Sequence, residues 1–251
     1  MPGHWLLARL GKRVLRPGGR ELTDRLLAGL GISSSDDVVE VAPGLGSTTE
    51  LVLAAQPRSY VGIDRDPVSA RRVAEAVQGP GRRVVEASAA QTGLDDASAD
   101  VVVGEAYLTM QSAGQKQRIA AELARVVRPG GRLGLHEVAI APDTSVERQE
   151  AIRSELTSAI KVPVSPITLA GWIELLDEAG FDVVERHAAP LHLLEPRRLV
   201  ADEGVRGAAR FVLNVLRHPA ERRRVLAMRR AMHGNAAHLE ACALVARRRA
   251  A

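Results

Sequence analysis

The chain has 251 residues, 46% of them hydrophobic, which is enough for one large α/β domain over residues 1–251. No apolar run reaches the roughly 18–20 residues of a membrane span, and the start of the chain is too short and basic for a signal peptide. Its single cysteine, Cys242, excludes a disulfide framework within the chain and a cysteine-ligated zinc site. Without a membrane span or a signal peptide, we expect a cytoplasmic protein with no membrane partner. The net charge of +4 comes with only 2% aromatic residues, which leaves few side chains for stacking on bases, so we expect no nucleic-acid partner either.

Two helices are predicted within residues 1–36, before the first strand. The first covers about 3–15 and is stopped by the turn sequence R-P-G-G at 16–19. The second covers about 20–30, because leucines recur there at the spacing of one helix face. A polar loop rich in serine then leads into the first strand.

The first strand and the turn after it are the most informative stretch of the sequence. Residues 38–41 are β-branched apart from Glu40, as expected for a strand buried in a parallel sheet. The strand ends in A-P-G-L-G at 42–46, and Ser47 or Thr48 can cap the helix that follows. A glycine turn before a helix N-terminus is a place where a ligand can lie against bare backbone.

The second strand, about 60–63, ends in Asp64, eighteen residues after Gly46. An acid at this point holds ribose hydroxyls in βαβ nucleoside sites. A dinucleotide would require a third glycine in the turn, where this sequence has Thr49. S-adenosylmethionine has no phosphate; Glu40 can attract its ammonium group, and the helix N-terminus favours its carboxylate. The pattern therefore favours S-adenosylmethionine over a nicotinamide cofactor.

The rest of the chain continues the alternation of strands and helices. Asp66 is expected to cap a helix that begins at Pro67 and runs to about residue 77. Further strands are predicted over about 83–86, 100–104, 132–138, 181–184 and 241–246, and further helices over about 114–127, 146–160 and 168–179. This order predicts an α/β fold with a parallel, doubly wound sheet.

Five motifs in this order resemble those of class I S-adenosylmethionine-dependent methyltransferases. They are E-V-A-P-G-L-G, V-G-I-D, A-S-A-D-V-V-V, L-A-R-V-V-R-P-G-G-R-L and W-I-E-L-L-D-E-A-G-F-D-V-V. The resemblance covers about 38–184 and the last strand. Within the family, the chain is similar to the subgroup of quinone and other small-molecule methyltransferases. It implies a Rossmann-like, seven-stranded sheet whose last strand is antiparallel. It also implies methyl transfer from S-adenosylmethionine to a small-molecule acceptor by in-line displacement.

The resemblance and the strand ends together indicate a cofactor site of eleven residues. These are Glu40, Ala42, Pro43, Gly44, Gly46, Thr48, Asp64, Arg65, Ser88, Ala89 and Glu105. Two of them depart from the family pattern. Ala42 stands where the family usually has glycine, and Ser88 stands where it often has an acid near the adenine amino group. Adenine recognition is therefore expected to depend more on the backbone around Ala89.

Residues at the ends of the fourth and fifth strands are the candidates for catalysis, because open α/β sheets bind ligands beyond the carboxyl ends of their strands. His136 could act as a general base near neutral pH. The alternative is that His136 only makes hydrogen bonds at a crowded sheet edge. Glu105 is expected to contact the cofactor or the acceptor, and Tyr107, Met110 and Gln111 to line the pocket.

No metal site is expected, because His187, His192 and Glu195 have a spacing that fits no metal-ligand pattern. Two other functions stay open at this point. One is a nicotinamide-dependent Rossmann oxidoreductase, against which Thr49 and the R-P-G-G turn at 128–131 argue. The other is an S-adenosylmethionine-binding module without catalytic activity.

The resemblance does not cover residues 190–238, which lie between the cofactor-binding core, 37–189, and the last strand and tail, 239–251. Helices with apolar stripes are predicted in this insertion over 196–203, 205–216 and 219–232. We expect the insertion and the N-terminal helix to pack beside the carboxyl ends of the strands and to cap the acceptor pocket. A homodimer interface is the alternative.

Overall fold

The computed structural model describes residues 1–191 and 193–250 and contains a single mixed sheet. Seven strands follow one another across the sheet in the order β3-β2-β1-β4-β5-β8-β7. They are β1 (Asp37–Val41), β2 (Ser59–Asp64), β3 (Arg82–Glu86), β4 (Ala99–Glu105), β5 (Val127–Ile140), β7 (Phe181–Pro190) and β8 (Leu239–Arg248). A two-residue strand, β6 (Ile167–Thr168), pairs with the end of β5 outside this path.

Strand β8 is antiparallel to both of its neighbours, β5 and β7, whereas all the other pairs of strands are parallel. The predicted Rossmann-like sheet with an antiparallel last strand is therefore confirmed, and β6 is an additional short strand. The order of the strands reverses between β1 and β4, which is where open α/β sheets form a crevice for ligands.

Nine helices are present in the described part of the chain. They are α1 (Gly3–Arg9), α2 (Gly19–Leu30), α3 (Ser47–Ala54), α4 (Pro67–Ala76), α5 (Ala113–Val126), α6 (Val146–Ile160), α7 (Leu169–Glu178), α8 (Pro196–Arg217) and α9 (Pro219–Gly234). A short 3-10 helix, Leu108–Met110, follows β4. The helices from α2 to α7 begin and end close to their predicted bounds.

Four local predictions differ from the structure. Strand β5 begins at Val127 rather than at about residue 132, because Val127 pairs with Ala99 of β4. Helix α1 ends at Arg9 rather than at residue 15, because Gly11 takes a positive φ of 103° that leaves the helical conformation. Helix α3 begins after Gly46 without any side-chain cap, so the predicted cap by Ser47 or Thr48 is wrong. Strand β7 extends to Pro190, because antiparallel pairing with β8 supplies hydrogen-bond partners along its whole length.

The sheet is covered by helices on both faces, and each face has its own apolar core. Leu26 of α2 belongs to the core under α2, α3 and α4. Leu123 and Trp172 belong to the core under α5 and α7. Val102 and Val103, which are neighbours in β4, point into opposite cores. This alternation explains why the central strands read as continuous apolar runs.

The helical insertion packs on α1 and forms a third apolar cluster. Leu6 and Leu7 of α1 are buried against residues of α8 and α9 such as Phe211 and Met228. The predicted boundary between two helices near residue 204 corresponds to a break inside α8, where Gly204 has a φ of 70° and a ψ of 168°. None of the described helices has the length and apolarity that crossing a membrane requires.

Candidate active site

A cavity of about 460 Å³ lies beyond the carboxyl ends of β1, β2 and β4. The turn after β1 and the end of β2 form one side of it. The loop after β4, the start of the chain and Val162 with Pro163 form the other side. Pro2, His4 and Trp5 supply the wall at the start of the chain. A larger groove of about 890 Å³ between α6 and α9 contains no residue from these strand ends.

The turn after β1 places three residues in the left-handed region of backbone conformation. The φ angles are 54° at Ala42, 55° at Gly44 and 78° at Gly46. Glycine adopts this conformation without cost, whereas a residue with a Cβ atom is strained there by about 1–2 kcal/mol. Ala42, the departure from the family pattern, therefore keeps the glycine-type backbone and is strained by it.

The first turn of α3 faces this cavity with backbone N–H groups that no side chain caps. The two side chains expected to cap it have other partners. Ser47 donates a hydrogen bond to the carbonyl of Arg13 (3.2 Å), and Thr48 donates one to Glu105 Oε2. The helix N-terminus is therefore left available to an anionic group of a ligand.

Glu40 lines the cavity at the end of β1 and is only 2% exposed. Its Oε2 accepts hydrogen bonds from the hydroxyls of Tyr60 (2.6 Å) and Thr49 (2.7 Å). Burial raises the pKa of Glu40 to about 7, although these two hydrogen bonds act in the opposite direction. The carboxyl group is thus poised to ionise when a cationic group comes to lie beside it.

Asp64 lines the same cavity at the end of β2 and is 7% exposed. Its carboxylate accepts hydrogen bonds from the N–H of Gly44 (3.2 Å) and of Asp66 (2.9 Å), which hold it against the turn. Burial raises the pKa of Asp64 above its usual range. Each oxygen retains a lone pair, so the group is still able to accept a hydrogen bond from a ribose hydroxyl.

Glu105, at the end of β4, is the centre of a buried hydrogen-bond network. Its Oε1 accepts hydrogen bonds from Thr23 Oγ1 (2.5 Å) and from His136 Nδ1 (2.7 Å), and Arg16 Nε lies 3.4 Å from its Oε2. Burial opposes ionisation of Glu105, but the hydrogen bond from His136 and the charge of Arg16 lower its pKa to about 2. Glu105 is therefore a carboxylate at neutral pH and a very weak base.

His136 is fully buried next to this carboxylate, and both of its ring nitrogens have partners. The N–H of Gly18 donates to Nε2 (3.0 Å), so Nε2 carries no proton and Nδ1 donates to Glu105. The side chain is 0% exposed and is not among the residues that line the cavity. This geometry disagrees with the expected general base, because no lone pair of the ring faces the cavity. It agrees with the alternative of a hydrogen-bonding role at the sheet edge.

Glu137, the next residue of β5, holds the loop that follows β4. Its carboxylate accepts hydrogen bonds from the backbone N–H groups of Tyr107, Leu108 and Thr109, at 2.7–3.0 Å, and from the Thr109 hydroxyl at 2.6 Å. Burial raises the pKa of Glu137 even so. Because Tyr107 lines the cavity, this buried carboxylate fixes the shape of the cavity without facing it.

The structure brings together ten of the eleven expected cofactor residues at the cavity wall. They are Glu40, Ala42, Pro43, Gly44, Thr48, Asp64, Arg65, Ser88, Ala89 and Glu105. Gly46 lies just behind them and closes the turn through a hydrogen bond to the carbonyl of Pro43 (2.9 Å). Met110 and Gln111 line the cavity as expected. No described residue of the insertion, 190–238, is among the lining residues, since the insertion packs behind α1.

The sequence reasoning missed several residues of the site, namely Trp5, Arg16, Thr23 and Tyr60. They lie in helices and turns that precede the motifs, or inside a strand, and no local pattern marks them. Within residues 1–191 and 193–250 no group of three metal-ligating side chains occurs. His192, considered above with two neighbours as a metal ligand, lies outside the described residues.

The structure defines a class of nucleoside-cofactor-binding protein. It combines an open α/β sheet, a turn without the third glycine of dinucleotide sites, a buried acid before that turn and a second acid at the end of β2. Comparisons with known proteins agree with this class. A family model described as "Methyltransferase domain" matches residues 39–135. A protein of Haemophilus influenzae described as uncharacterized is 35% identical over 220 residues, 86% of this chain and 86% of that protein.

One further relative and one solved structure add detail. The S-adenosyl-L-methionine-dependent Diels-Alderase iccD of Talaromyces variabilis is 26% identical over 73% of this chain and 64% of that enzyme. Phosphoethanolamine N-methyltransferase 2 of Haemonchus contortus was solved with phosphomonomethylethanolamine and S-adenosylhomocysteine. It shares the fold with a TM-score of 0.73 at 12% identity, over 99% of this chain and 58% of that one. The chain belongs to the class I S-adenosylmethionine-dependent methyltransferases and uses S-adenosylmethionine as its cofactor.

Proposed function

We propose that this methyltransferase acts on a small molecule that enters the cavity from the side formed by α1. The size of the cavity carries the proposal. A volume of about 460 Å³ is within the range of sites for a cofactor and a small ligand. The start of the chain and Val162 with Pro163 line the acceptor side, and a cavity of this size suits a small molecule better than a nucleic-acid strand.

We assign the cofactor site to the ten lining residues together with Gly46. Glu40 binds the ammonium group of the cofactor, Asp64 binds the ribose hydroxyls, and the first turn of α3 binds the carboxylate. The burial of Glu40 and Asp64 supports this assignment, and so does the lack of a side-chain cap on the first turn of α3. Ser88 and Ala89 lie at the same wall of the cavity and suit the adenine end.

S-adenosylmethionine supplies the electrophilic methyl group, so the protein's task is to orient the acceptor in line with it and to exclude water. Glu105 fixes the geometry of the site, because its network ties the turn before α2 to the ends of β4 and β5. With a pKa of about 2, Glu105 stabilises positive charge and takes up no proton at neutral pH. We propose His136 as a positioning residue that orients Glu105 through Nδ1.

We propose that the cap over the acceptor has two layers. Helix α1 and the residues before it face the cavity, and the insertion supports α1 from outside through Phe211 and Met228. Lys12 is held between Asp202 and Glu203 at 3.5 and 3.6 Å, which ties the segment after α1 to α8. A homodimer through the outer face of the insertion stays a prediction.

The proposal is tested first by cofactor binding. Calorimetry with S-adenosylhomocysteine should show binding to the unmodified protein, and Asp64→Ala should weaken it by about 1–3 kcal/mol, as expected when a buried hydrogen-bond partner is lost. Asp95→Ala, in an exposed loop, is the control and should bind normally. Unchanged affinity of a folded Asp64→Ala variant would overturn the ribose assignment.

The acceptor class is tested with the isotope-labelled methyl donor and fractionated cell extract. We expect label in the fraction of low molecular mass. Label in RNA or protein would contradict a small-molecule acceptor. Tight S-adenosylhomocysteine binding without transfer to any fraction would instead support the binding module considered above.

A further inference from the structure

The guanidinium of Arg16, beside Glu105, has one buried nitrogen whose bonding the network around Glu105 leaves unexplained. Its side chain is 7% exposed and lines the cavity. Its Nε lies 3.4 Å from Glu105 Oε2, but its Nη1 is buried and has no hydrogen-bond partner among the described residues. A buried charged donor without a partner is costly, so this nitrogen calls for a partner from outside the chain.

Lys12, four residues earlier, shows that this segment does pair its other buried cation. The ammonium of Lys12 is 0% exposed and lies between the carboxylates of Asp202 and Glu203. Glu105 pairs with Arg16 through Nε alone, and its two oxygens also accept hydrogen bonds from Thr23, Thr48 and His136. The Nη1 of Arg16 is therefore left to bind a group in the cavity.

The other charges around the cavity are divided between its two sides. The acids Glu40 and Asp64 stand on the cofactor side, at the ends of β1 and β2, and Arg65 and Asp66 line the cavity directly after Asp64. On the acceptor side the charged lining residues are Arg13, which is exposed, Arg16 and the Glu105 carboxylate. His4 adds no charge there at neutral pH, because burial and the nearby Arg65 lower its pKa. The acceptor side thus carries two guanidinium groups, from Arg13 and Arg16, against the single carboxylate of Glu105.

We propose that Arg16 binds an oxyanion, a carboxylate or a phosphate, inside this cavity. The planar guanidinium matches such groups with two parallel hydrogen bonds. The oxyanion belongs either to the methyl acceptor, which is then an anionic small molecule, or to the carboxylate of the cofactor. The first of these rests on the proposed function, whereas the second requires only cofactor binding.

Calorimetry on Arg16→Gln separates the two sources. S-adenosylhomocysteine and its decarboxylated analogue are titrated into the unmodified protein and the variant. Inorganic phosphate and acetate are then titrated into each protein, with and without S-adenosylhomocysteine. Loss of one charge-assisted pair should weaken binding roughly 10- to 100-fold.

If the cofactor supplies the oxyanion, the variant binds S-adenosylhomocysteine that much more weakly and the decarboxylated analogue equally well. If the acceptor supplies it, S-adenosylhomocysteine binding is unchanged, and phosphate or acetate binds to the unmodified protein but not to the variant. Unchanged binding of all four probes would overturn the proposal.

Two further variants keep the outcome interpretable. Arg16→Lys keeps the positive charge beside Glu105 without the planar fork, so it should lose part of the affinity. It replaces Arg16→Gln in the test if that variant fails to fold. Arg206→Gln removes an exposed charge on α8 and controls for the net charge of the protein. Failure of the unmodified protein to bind S-adenosylhomocysteine would refute the proposed function, while the phosphate titration of the ligand-free protein would still test the oxyanion site.

Discussion

Cofactor affinity should increase with pH near neutrality because of Glu40. Burial raises the pKa of this carboxyl group to about 7, so about one molecule in ten carries the charge at pH 6 and about three in four at pH 7.5. If the ammonium of S-adenosylhomocysteine binds only the carboxylate form, its affinity should rise about eightfold over this interval, roughly 1.2 kcal/mol. Binding at pH 6 should release about one proton.

Calorimetry measures both quantities, with the released proton obtained from two buffers of different ionisation enthalpy. Glu40→Gln is the matched control, since it is isosteric and retains an oxygen for Tyr60 and Thr49. It should bind more weakly at pH 7.5 and lose the pH dependence. A flat profile for the unmodified protein, or the same slope in Glu40→Gln, would refute the contact between Glu40 and the ammonium.

The same pKa shift acts on stability with the opposite sign. The pKa of Glu40 in the folded state is above its ordinary value of 4.5, so the folded state binds more protons between these two pH values. The contribution of Glu40 to the free energy of unfolding therefore falls as pH rises from 4.5 to about 7, by up to roughly 3 kcal/mol. Urea unfolding of the ligand-free protein should show this slope, and Glu40→Gln should reduce it.

Two further substitutions test the backbone and the buried network of the site. Ala42→Gly should raise the free energy of unfolding by about 0–1 kcal/mol, because relief of the positive φ exceeds the added entropy of the unfolded chain; Ala89→Gly, where φ is not positive, should lower it in the same urea titration. His136→Ala should lower the free energy of unfolding by at least about 2 kcal/mol, since it leaves the Gly18 N–H without its acceptor. An unchanged urea midpoint, equal to that of the partly exposed control His187→Ala, would contradict this role of His136.

Much of the fold could be predicted because its signals are local. Periodic apolar residues mark the helices, β-branched runs mark the strands, and the alternation of the two implies a parallel sheet. The rule that ligands bind beyond the carboxyl ends of strands then leads from the sequence to Glu40, Asp64 and Glu105, all of which line the cavity. The resemblance to the methyltransferases added the cofactor and the antiparallel last strand.

The direction of side chains at those strand ends was not available from the sequence. Glu105 and His136 are paired in register on neighbouring strands, yet Glu105 lines the cavity and His136 is sealed beneath α2. The seal depends on close approach: a Cβ atom at Gly18 would lie 2.4 Å from Leu22 and 3.0 Å from His136 Nε2. Only packing of the whole chain decides which of two adjacent polar residues remains open to a ligand.

The sequence by itself determined the order of elements, the turn that receives the cofactor and the acids beside it, because each depends on residues close together in the chain. Tertiary structure decided the acceptor side. Gly18 and His136 are 118 residues apart, and the insertion that supports α1 comes from the far end of the chain. Such contacts depend on how apolar faces fit together, and periodicity specifies the faces without specifying their partners. For this reason Arg16 came to light only in the folded chain, which leaves its Nη1 buried without a hydrogen-bond partner among the described residues.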